Sequence, residues 1–265
     1  MNHFYKIYYY FSSMSNPILF SYMGLSFILS ASILIHYIGH FHRINRYLKF
    51  GLFLASSVIL MESITAILLG KSIIGNIYFF LKLLLFSCTG IYCSRGTSHR
   101  GIPFLRRLFT GSFPPKFSSS HMILYIAIIN LLQIVSDYIL FVKISPEFSI
   151  TLDSLAMNSK LYLLPVVILS AIEYAFHEEI IFRLGIQSFI IKIFNLEEKK
   201  HWIALLFTAF LWSIAHANTL TVEWVKFVHV FPLGIALGIL YRKFGLECAI
   251  LTHALVNLLS MVIFS

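Results

Sequence analysis

Three short polar motifs interrupt hydrophobic segments in the C-terminal part of the chain. Their members are ionisable or hydrogen-bonding side chains in otherwise apolar surroundings: Glu178, Glu179, Arg183, Trp212, His216, His253 and Asn257. A charge at the centre of a bilayer costs roughly 2.5 to 3.5 kcal/mol on insertion scales, so such residues are functional candidates by default. A carboxylate can accept a proton, and imidazole and amide N–H groups can stabilise an oxyanion. This combination of residue types suits hydrolysis by a general base.

The first motif separates two carboxylates by their position around a helix. Glu179 and Arg183 are four residues apart, so they share a face and can cancel each other's charge as an ion pair. Glu178 is turned by about 100° from that pair and has no obvious local partner. We therefore predict Glu178 as the general base, although a glutamate–arginine pair can also be purely structural.

The other two motifs each place two side chains on one side of a helix. Trp212 and His216 are four residues apart, so the indole can pack beside the imidazole and restrict its rotamer. His253 and Asn257 have the same spacing and form a predicted pair of hydrogen-bond donors. A lone histidine in a membrane is as often a packing residue as a functional one. Three such groups on three helices favour a common cavity.

The composition indicates what kind of protein carries these motifs. Of the 265 residues, 58% are hydrophobic and 12% are charged, and the mean hydropathy is +0.84. A soluble enzyme needs more charge to cover its surface, and a disordered chain needs lower hydrophobicity. The apolar stretches continue without the alternation of a transmembrane barrel. We therefore predict an all-α polytopic membrane protein with its catalytic residues in the C-terminal helices.

Hydrophobic stretches predict about eight transmembrane helices. The expected spans cover residues 16–38, 50–69, 72–92, 121–142, 161–190, 202–217, 225–241 and 247–264. No internal repeat and no long linker divides the chain, so residues 1–265 are expected to form a single membrane domain.

Basic residues are unevenly distributed among the connections between these spans. The first, third, fifth and seventh connections hold thirteen: Arg43, Arg46, Lys49, Arg95, Arg100, Arg106, Arg107, Lys116, Lys192, Lys199, Lys200, Arg242 and Lys243. The other connections and the N-terminal leader hold four: Lys6, Lys71, Lys143 and Lys160. The positive-inside rule then places the basic loops in the cytoplasm and both termini outside, in a multi-pass protein of the cell membrane. Attraction to anionic lipid explains these loops better than binding of nucleic acid.

The remaining polar and sulfur-containing residues receive structural interpretations. Four further ionisable residues within spans are expected to be pairing or cavity residues: Glu62, Lys82, Asp137 and Glu173. Five histidines are expected at interfaces or in loops: His36, His40, His42, His99 and His229. The three cysteines form neither a CxxC pair nor a plausible disulfide framework, so they are expected in the core: Cys88, Cys93 and Cys248.

The order of the three motifs resembles the CPBP family, which comprises CAAX proteases and bacteriocin-processing enzymes and is also called the Abi or glutamic intramembrane protease family. The likeness covers residues 161–265, a CPBP-like catalytic core, whereas residues 1–120 match only as variable hydrophobic spans. Gly234 and Gly238 in F-P-L-G-I-A-L-G-I-L-Y look like the family's seventh span and would allow close helix packing. Trp212 stands where phenylalanine is commoner in the family.

The resemblance implies an intramembrane endopeptidase that needs no cofactor. In this family the matching positions would assign water activation to Glu178 and His216, and binding of the oxyanion to His253 and Asn257. Glu179, Arg183 and Trp212 would be supporting residues. The implied substrate is a membrane-associated peptide or a prenylated protein.

Two other classes of function stay open. A zinc-dependent membrane protease could use two histidines and a glutamate as ligands, but the segment that begins His177-Glu178 lacks the second histidine of HExxH. A non-catalytic protein could be an immunity factor, a regulator of another membrane protein, or a transporter with a proton relay.

Overall fold

A computed structural model of the chain describes residues 17–68, 77–95, 97, 100–110, 119–144, 164–216 and 223–263. Within these ranges the ordered elements are helices, and none is a strand. Helices satisfy every backbone hydrogen bond internally, which a lipid environment requires of apolar segments. The predicted all-α polytopic membrane fold is confirmed.

The described part of the chain contains eleven α-helices. In chain order they are α1 Pro17–Gly39, α2 Phe41–Ile44, α3 Leu48–Leu68, α4 Ile77–Ser94, α5 Pro103–Thr110, α6 Ser119–Asp137, α7 Leu164–Glu179, α8 Ser188–Ile193, α9 His201–Ala215, α10 Glu223–Phe244 and α11 Leu246–Ile263. Short 3-10 turns occupy Asn45–Tyr47 and Glu198–Lys200, and wider π-helical segments occupy Tyr138–Ile144 and Ile180–Gln187.

Helical stretches in the described part of the chain coincide with each of the expected spans, although the outermost residues of several spans lie outside it. Five are long and apolar enough to cross a membrane: Phe41–Leu68, Ile77–Ser94, Ser120–Leu140, Phe227–Phe244 and Leu246–Ile263. The stretch Gly24–Gly39 is apolar but shorter. The number of eight crossings therefore stays a prediction.

One helical stretch runs through the centre of the molecule. It comprises α7, the π-helical segment Ile180–Gln187 and α8, and every residue of the π segment is buried. It packs closely on α4 because glycines line the contact. A Cβ atom on Gly90 would lie 2.3 Å from the backbone oxygen of Leu184, and one on Gly185 would lie 2.5 Å from a ring carbon of Phe86.

A second close contact joins α9 and α10, as the two glycines of α10 predict. A Cβ atom on Gly234 would lie 3.0 Å from the Trp212 ring, and one on Gly238 would lie 2.9 Å from Leu205. The predicted role of these glycines in helix packing is confirmed. The absence of a side chain at Gly234 makes room for the Trp212 indole.

A buried polar cluster connects α6, α10 and α11. Asp137 accepts hydrogen bonds from Gln133, at 2.9 Å, and from Ser260, and it also contacts His229. The interpretation of Asp137 as a pairing residue is confirmed. The interpretation of His229 as interfacial or loop is wrong, because this side chain is 8% exposed and lies within α10 against Asp137.

The basic connections meet at one end of the helices. The 195–200 turn is joined to the end of α10 by an ion pair between Arg242 and Glu198. The backbone N–H of Leu246 donates to the oxygen of Gly101 at 2.7 Å, and the Arg95 guanidinium lies over the Tyr47 ring. The placement of this end in the cytoplasm stays a prediction. Lys6, Lys71, Lys116 and Lys160 lie outside the described residues, as does His99.

The three cysteines are free and buried, as expected of core residues. Cys88 on α4 also donates a weak hydrogen bond to the backbone oxygen of Tyr47, at 3.9 Å. This contact ties the end of α4 to the start of α3.

Replacing Gly90 by alanine is expected to lower the free energy of unfolding by about 1–3 kcal/mol, because the new Cβ atom meets backbone that cannot move aside. Gly24→Ala in α1 is the matched control, since a Cβ atom there meets nothing within 4 Å. Thermal unfolding of the two variants in the same detergent measures the difference. Equal melting temperatures would contradict the close packing of α4 on the π segment.

Candidate active site

Three helices bring the motif residues to one place. Glu178 and Glu179 lie at the end of α7, directly before the π segment, and His253 lies on α11, which packs along α7. His216 is the C-cap of α9, and its backbone N–H donates to Ser213 at 3.1 Å. π-Helical segments occur frequently at functional sites, and here one begins immediately after the two carboxylates.

Trp212 is the direct link between α9 and the Glu178 carboxylate. Its indole Nε1–H donates to Oε2 of Glu178 at 2.5 Å. The ring lies 5.2 Å from those of His216 and His253, nearly perpendicular to both. The expected packing of Trp212 beside His216 is confirmed, but Glu178 does have a polar partner, supplied by another helix. A buried indole needs an acceptor for its N–H group, so the tryptophan in this motif could have indicated a bond to a carboxylate such as Glu178.

Two imidazoles face the two oxygens of this carboxylate. Nε2 of His216 lies 3.7 Å from Oε1 of Glu178, and Nε2 of His253 lies 3.9 Å from Oε2. Both separations exceed a direct hydrogen bond but are short enough for one water molecule to bond to both groups. The structure thus brings Glu178, His216 and His253 together.

The other ring nitrogen of each histidine is held by an acceptor. Nδ1 of His216 lies 2.8 Å from the backbone oxygen of Trp212, which can only accept a hydrogen bond. The proton of neutral His216 is therefore on Nδ1, and Nε2 presents a lone pair towards Glu178. Nδ1 of His253 lies 3.0 Å from Oε1 of Glu179. These bonds orient both Nε2 atoms towards the same carboxylate.

The Glu179 carboxylate contacts two side chains, Arg183 on its own helix and His253 on α11. Its Oε2 lies 3.3 Å from Nε of Arg183, and both side chains are fully buried, so the predicted ion pair is confirmed. The Arg183 guanidinium also lies over the Trp212 ring, 4.8 Å from its centre. The spacing of residues along one helix could not reveal that Glu179 reaches His253 on α11.

Asn257 lies one turn after His253 on α11 and is partly buried. Its spacing places it on the same side of the helix as His253. Within the described part of the chain its amide makes no side-chain hydrogen bond, so its donors can be offered to a bound molecule. Its predicted role in binding an oxyanion stays a prediction.

A cavity of about 320 Å³ opens beside these groups. Glu178 and His216 line one part of it, with Lys82 and His177 nearby, and the interpretation of Lys82 as a cavity residue is confirmed. The wall is otherwise largely apolar and comes from four helices: Leu29, Phe86, Ile181, Phe182, Ile186 and Leu211. Helical spacing alone did not predict that His177 and α1 contribute to the cavity.

Metal coordination was the alternative use of these side chains. Among the residues that the structure describes, no group of three or more histidine, cysteine, aspartate or glutamate side chains has an arrangement that could hold a metal ion.

Comparison with known proteins adds two findings. Residues 160–259 match the family model described as type II CAAX prenyl endopeptidase Rce1-like. An 89-residue segment is 30% identical to the sporulation-killing factor biosynthesis protein SkfC of Bacillus subtilis (strain 168), and it covers 33% of this chain and 17% of that protein. The match therefore spans about one sixth of the length of this relative. No solved structure matches the chain significantly.

Arg183→Met is expected to cost about 3–5 kcal/mol of stability, because it leaves the buried Glu179 carboxylate without its cation. The double variant Glu179→Gln/Arg183→Met removes both charges, so it should be more stable than Arg183→Met alone. Thermal unfolding of the wild type, both single variants and the double variant gives the coupling between the two side chains. Strictly additive losses would show that the ion pair contributes nothing.

Proposed function

We propose that the protein is an intramembrane endopeptidase of the glutamic type, because residues 160–259 match the model of Rce1-like CAAX prenyl endopeptidases and the motifs resemble those of the CPBP family. The observation that carries the proposal is the Glu178 carboxylate between the Nε2 atoms of His216 and His253, at 3.7 and 3.9 Å. The site lies next to a cavity between apolar helices, as hydrolysis within a membrane requires.

The two oxygens of Glu178 have different surroundings. Oε2 accepts the hydrogen bond from Trp212, while Oε1 faces the lone pair on Nε2 of His216. A water molecule can lie about 2.8 Å from both Oε1 and this Nε2, because the two atoms are closer together than twice that distance. The water then has two acceptors for its two protons, which orients a lone pair towards a peptide carbonyl.

Hydrolysis would proceed without a covalent bond to the enzyme. Glu178 takes a proton from the water as its oxygen bonds to the carbonyl carbon, which gives a tetrahedral oxyanion. The C–N bond then breaks, and Glu178 returns the proton to the leaving nitrogen. The products are a new carboxylic acid, which then releases its proton to water, and a new amine, and the carboxylate of Glu178 is regenerated.

His253 and Asn257 would stabilise the oxyanion. His253 can donate from Nε2 when its ring carries both protons, since the Glu179 carboxylate accepts a hydrogen bond from Nδ1. Asn257 can donate from its amide. Donors fixed before the reaction stabilise the developing charge without reorganisation. Glu179, Arg183 and Trp212 would hold these groups in position.

The substrate would be a peptide that reaches the site through the membrane. The apolar wall of the cavity suits a membrane-associated or lipidated peptide, including a prenylated one. A prenyl endopeptidase is what the matching family model describes, and the relative in Bacillus subtilis is named for biosynthesis of a killing factor. We place the protein in the cell membrane, with its basic loops in the cytoplasm.

Glu178→Gln is expected to lower peptide hydrolysis by about 10²–10⁴-fold, because the amide cannot accept the proton of water. Terminal-peptide proteomics on membranes that contain either protein at equal abundance measures the loss of new peptide ends. Glu197→Gln is the matched control, since Glu197 lies on the surface and pairs with Lys199 and Lys200. If wild type and Glu178→Gln gave the same set of peptide ends, the peptidase assignment would be wrong, and an immunity or regulatory role would take its place.

Prolonged treatment of the purified protein with a strong zinc chelator is expected to change hydrolysis less than about twofold, because the proposed water is activated by Glu178 and His216 alone. The measurement is the rate of cleavage before and after chelation, together with the metal content of the protein. If chelation abolished the activity, and added zinc restored it while magnesium did not, the protein would instead be a zinc-dependent protease.

A further inference from the structure

A second cavity, of about 370 Å³, lies at the basic end of the helices and is separate from the candidate active site. Its lining includes three arginines, Arg95, Arg100 and Arg106, and the hydroxyl groups of Ser94 and Thr97. Tyr47 and three apolar side chains complete most of the wall: Phe50, Ile91 and Ile102. The cavity therefore combines a cationic rim with an apolar base.

Acidic side chains are rare in the segments of the sequence that line this cavity. Between residues 40 and 120 the sequence has a single acidic residue, Glu62, and it lies about 20 Å along α3 from the start of that helix. Glu247 approaches from α11, but its Oε1 accepts the backbone N–H of Leu105 at 2.8 Å and does not line the cavity. The site thus favours an anion.

Several contacts fix the segment that carries the arginines. Gly101 adopts a positive φ of 65°, and a Cβ atom there would lie 2.8 Å from the Ser94 hydroxyl. The oxygen of Gly101 accepts the backbone N–H of Leu246. The Arg95 guanidinium lies 4.6 Å from the centre of the Tyr47 ring, which restricts its position. The cationic rim is therefore organised by the fold.

The short helix α5 indicates the environment of the cavity. One side carries Arg106 and Arg107, while Phe104 and Leu108 are 42% and 73% exposed. Phe109 packs against Phe50, which belongs to the cavity wall. A helix with cationic and apolar exposed residues lies in the interface between headgroups and acyl chains. Such a position would put the opening of the cavity at the level of the lipid phosphates.

We propose that this cavity binds a phosphate group, and that its source is the headgroup of an anionic phospholipid. The guanidinium groups of Arg95, Arg100 and Arg106 bind the phosphate oxygens, for which their planar donor geometry is suited. The apolar base formed by Phe50, Ile91 and Ile102 accommodates the first carbons of an acyl chain. Basic pockets between helices on the cytoplasmic side of membrane proteins bind such headgroups.

The test uses the full-length protein, purified in an uncharged detergent and stripped of lipid. Native mass spectrometry measures the apparent dissociation constant for phosphatidylglycerol and for phosphatidylcholine. The triple variant Arg95→Gln/Arg100→Gln/Arg106→Gln is expected to bind phosphatidylglycerol at least about tenfold more weakly than wild type. The matched control Arg43→Gln/Arg46→Gln/Arg107→Gln removes three arginines of the same basic end that do not line the cavity, and it should stay within about threefold of wild type.

The outcomes separate the possible ligands. Equal weakening in both triple variants would indicate general attraction to charge and overturn the site, as would equal affinity of the wild type for the two lipids. A melting-temperature increase with inorganic phosphate as large as that with phosphatidylglycerol would assign the cavity to free phosphate and overturn the lipid source. Should the triple variant fail to fold, Arg100→Gln alone provides the comparison, with a smaller expected weakening of about threefold.

Discussion

The hydrogen bond from the Trp212 indole to Glu178 is the interaction on which the site depends. It joins α9 to α7 and occupies one carboxylate oxygen, so the other faces His216. The indole can donate but cannot accept, which fixes the direction of the bond. Gly234 on α10 leaves room for the ring, and the Arg183 guanidinium lies over its face. Several helices therefore determine where a single carboxylate points.

Charge compensation explains how so many ionisable groups can share one apolar region. Removing an isolated ion from water is costly, and a buried pair survives only with good geometry and further hydrogen bonds. The Arg183 guanidinium lies within ion-pair distance of Glu179 but has no hydrogen-bond partner among the described residues, whereas Glu179 does accept a hydrogen bond from His253. The same contact orients His253 towards Glu178, so a group that neutralises charge also positions the proposed oxyanion donor. A similar arrangement appears at Asp137, which gathers partners from three helices away from the candidate active site.

Local spacing predicted the features that one helix determines by itself. Helical periodicity predicts the ion pair between Glu179 and Arg183 and the packing of Trp212 on His216. The glycine at position 234 likewise predicts the close approach of another helix to α10. Helical periodicity cannot predict which side chains of different helices come into contact. The bond from Trp212 to Glu178 depends on how the helices pack. His229 was misplaced for the same reason, since its partner Asp137 lies 92 residues away in sequence.

The proposed chemistry requires that the oxygen added to the peptide comes from solvent water and not from a side chain. A single turnover with excess enzyme in heavy-oxygen water, followed by mass spectrometry of the product, measures this directly. Activation of water by Glu178 and His216 predicts one heavy oxygen in every new carboxylate. A product whose added oxygen is light would have received it from a carboxylate of the protein, through an anhydride that water opens at the carboxyl carbon of the protein, and would contradict direct attack by water on the peptide.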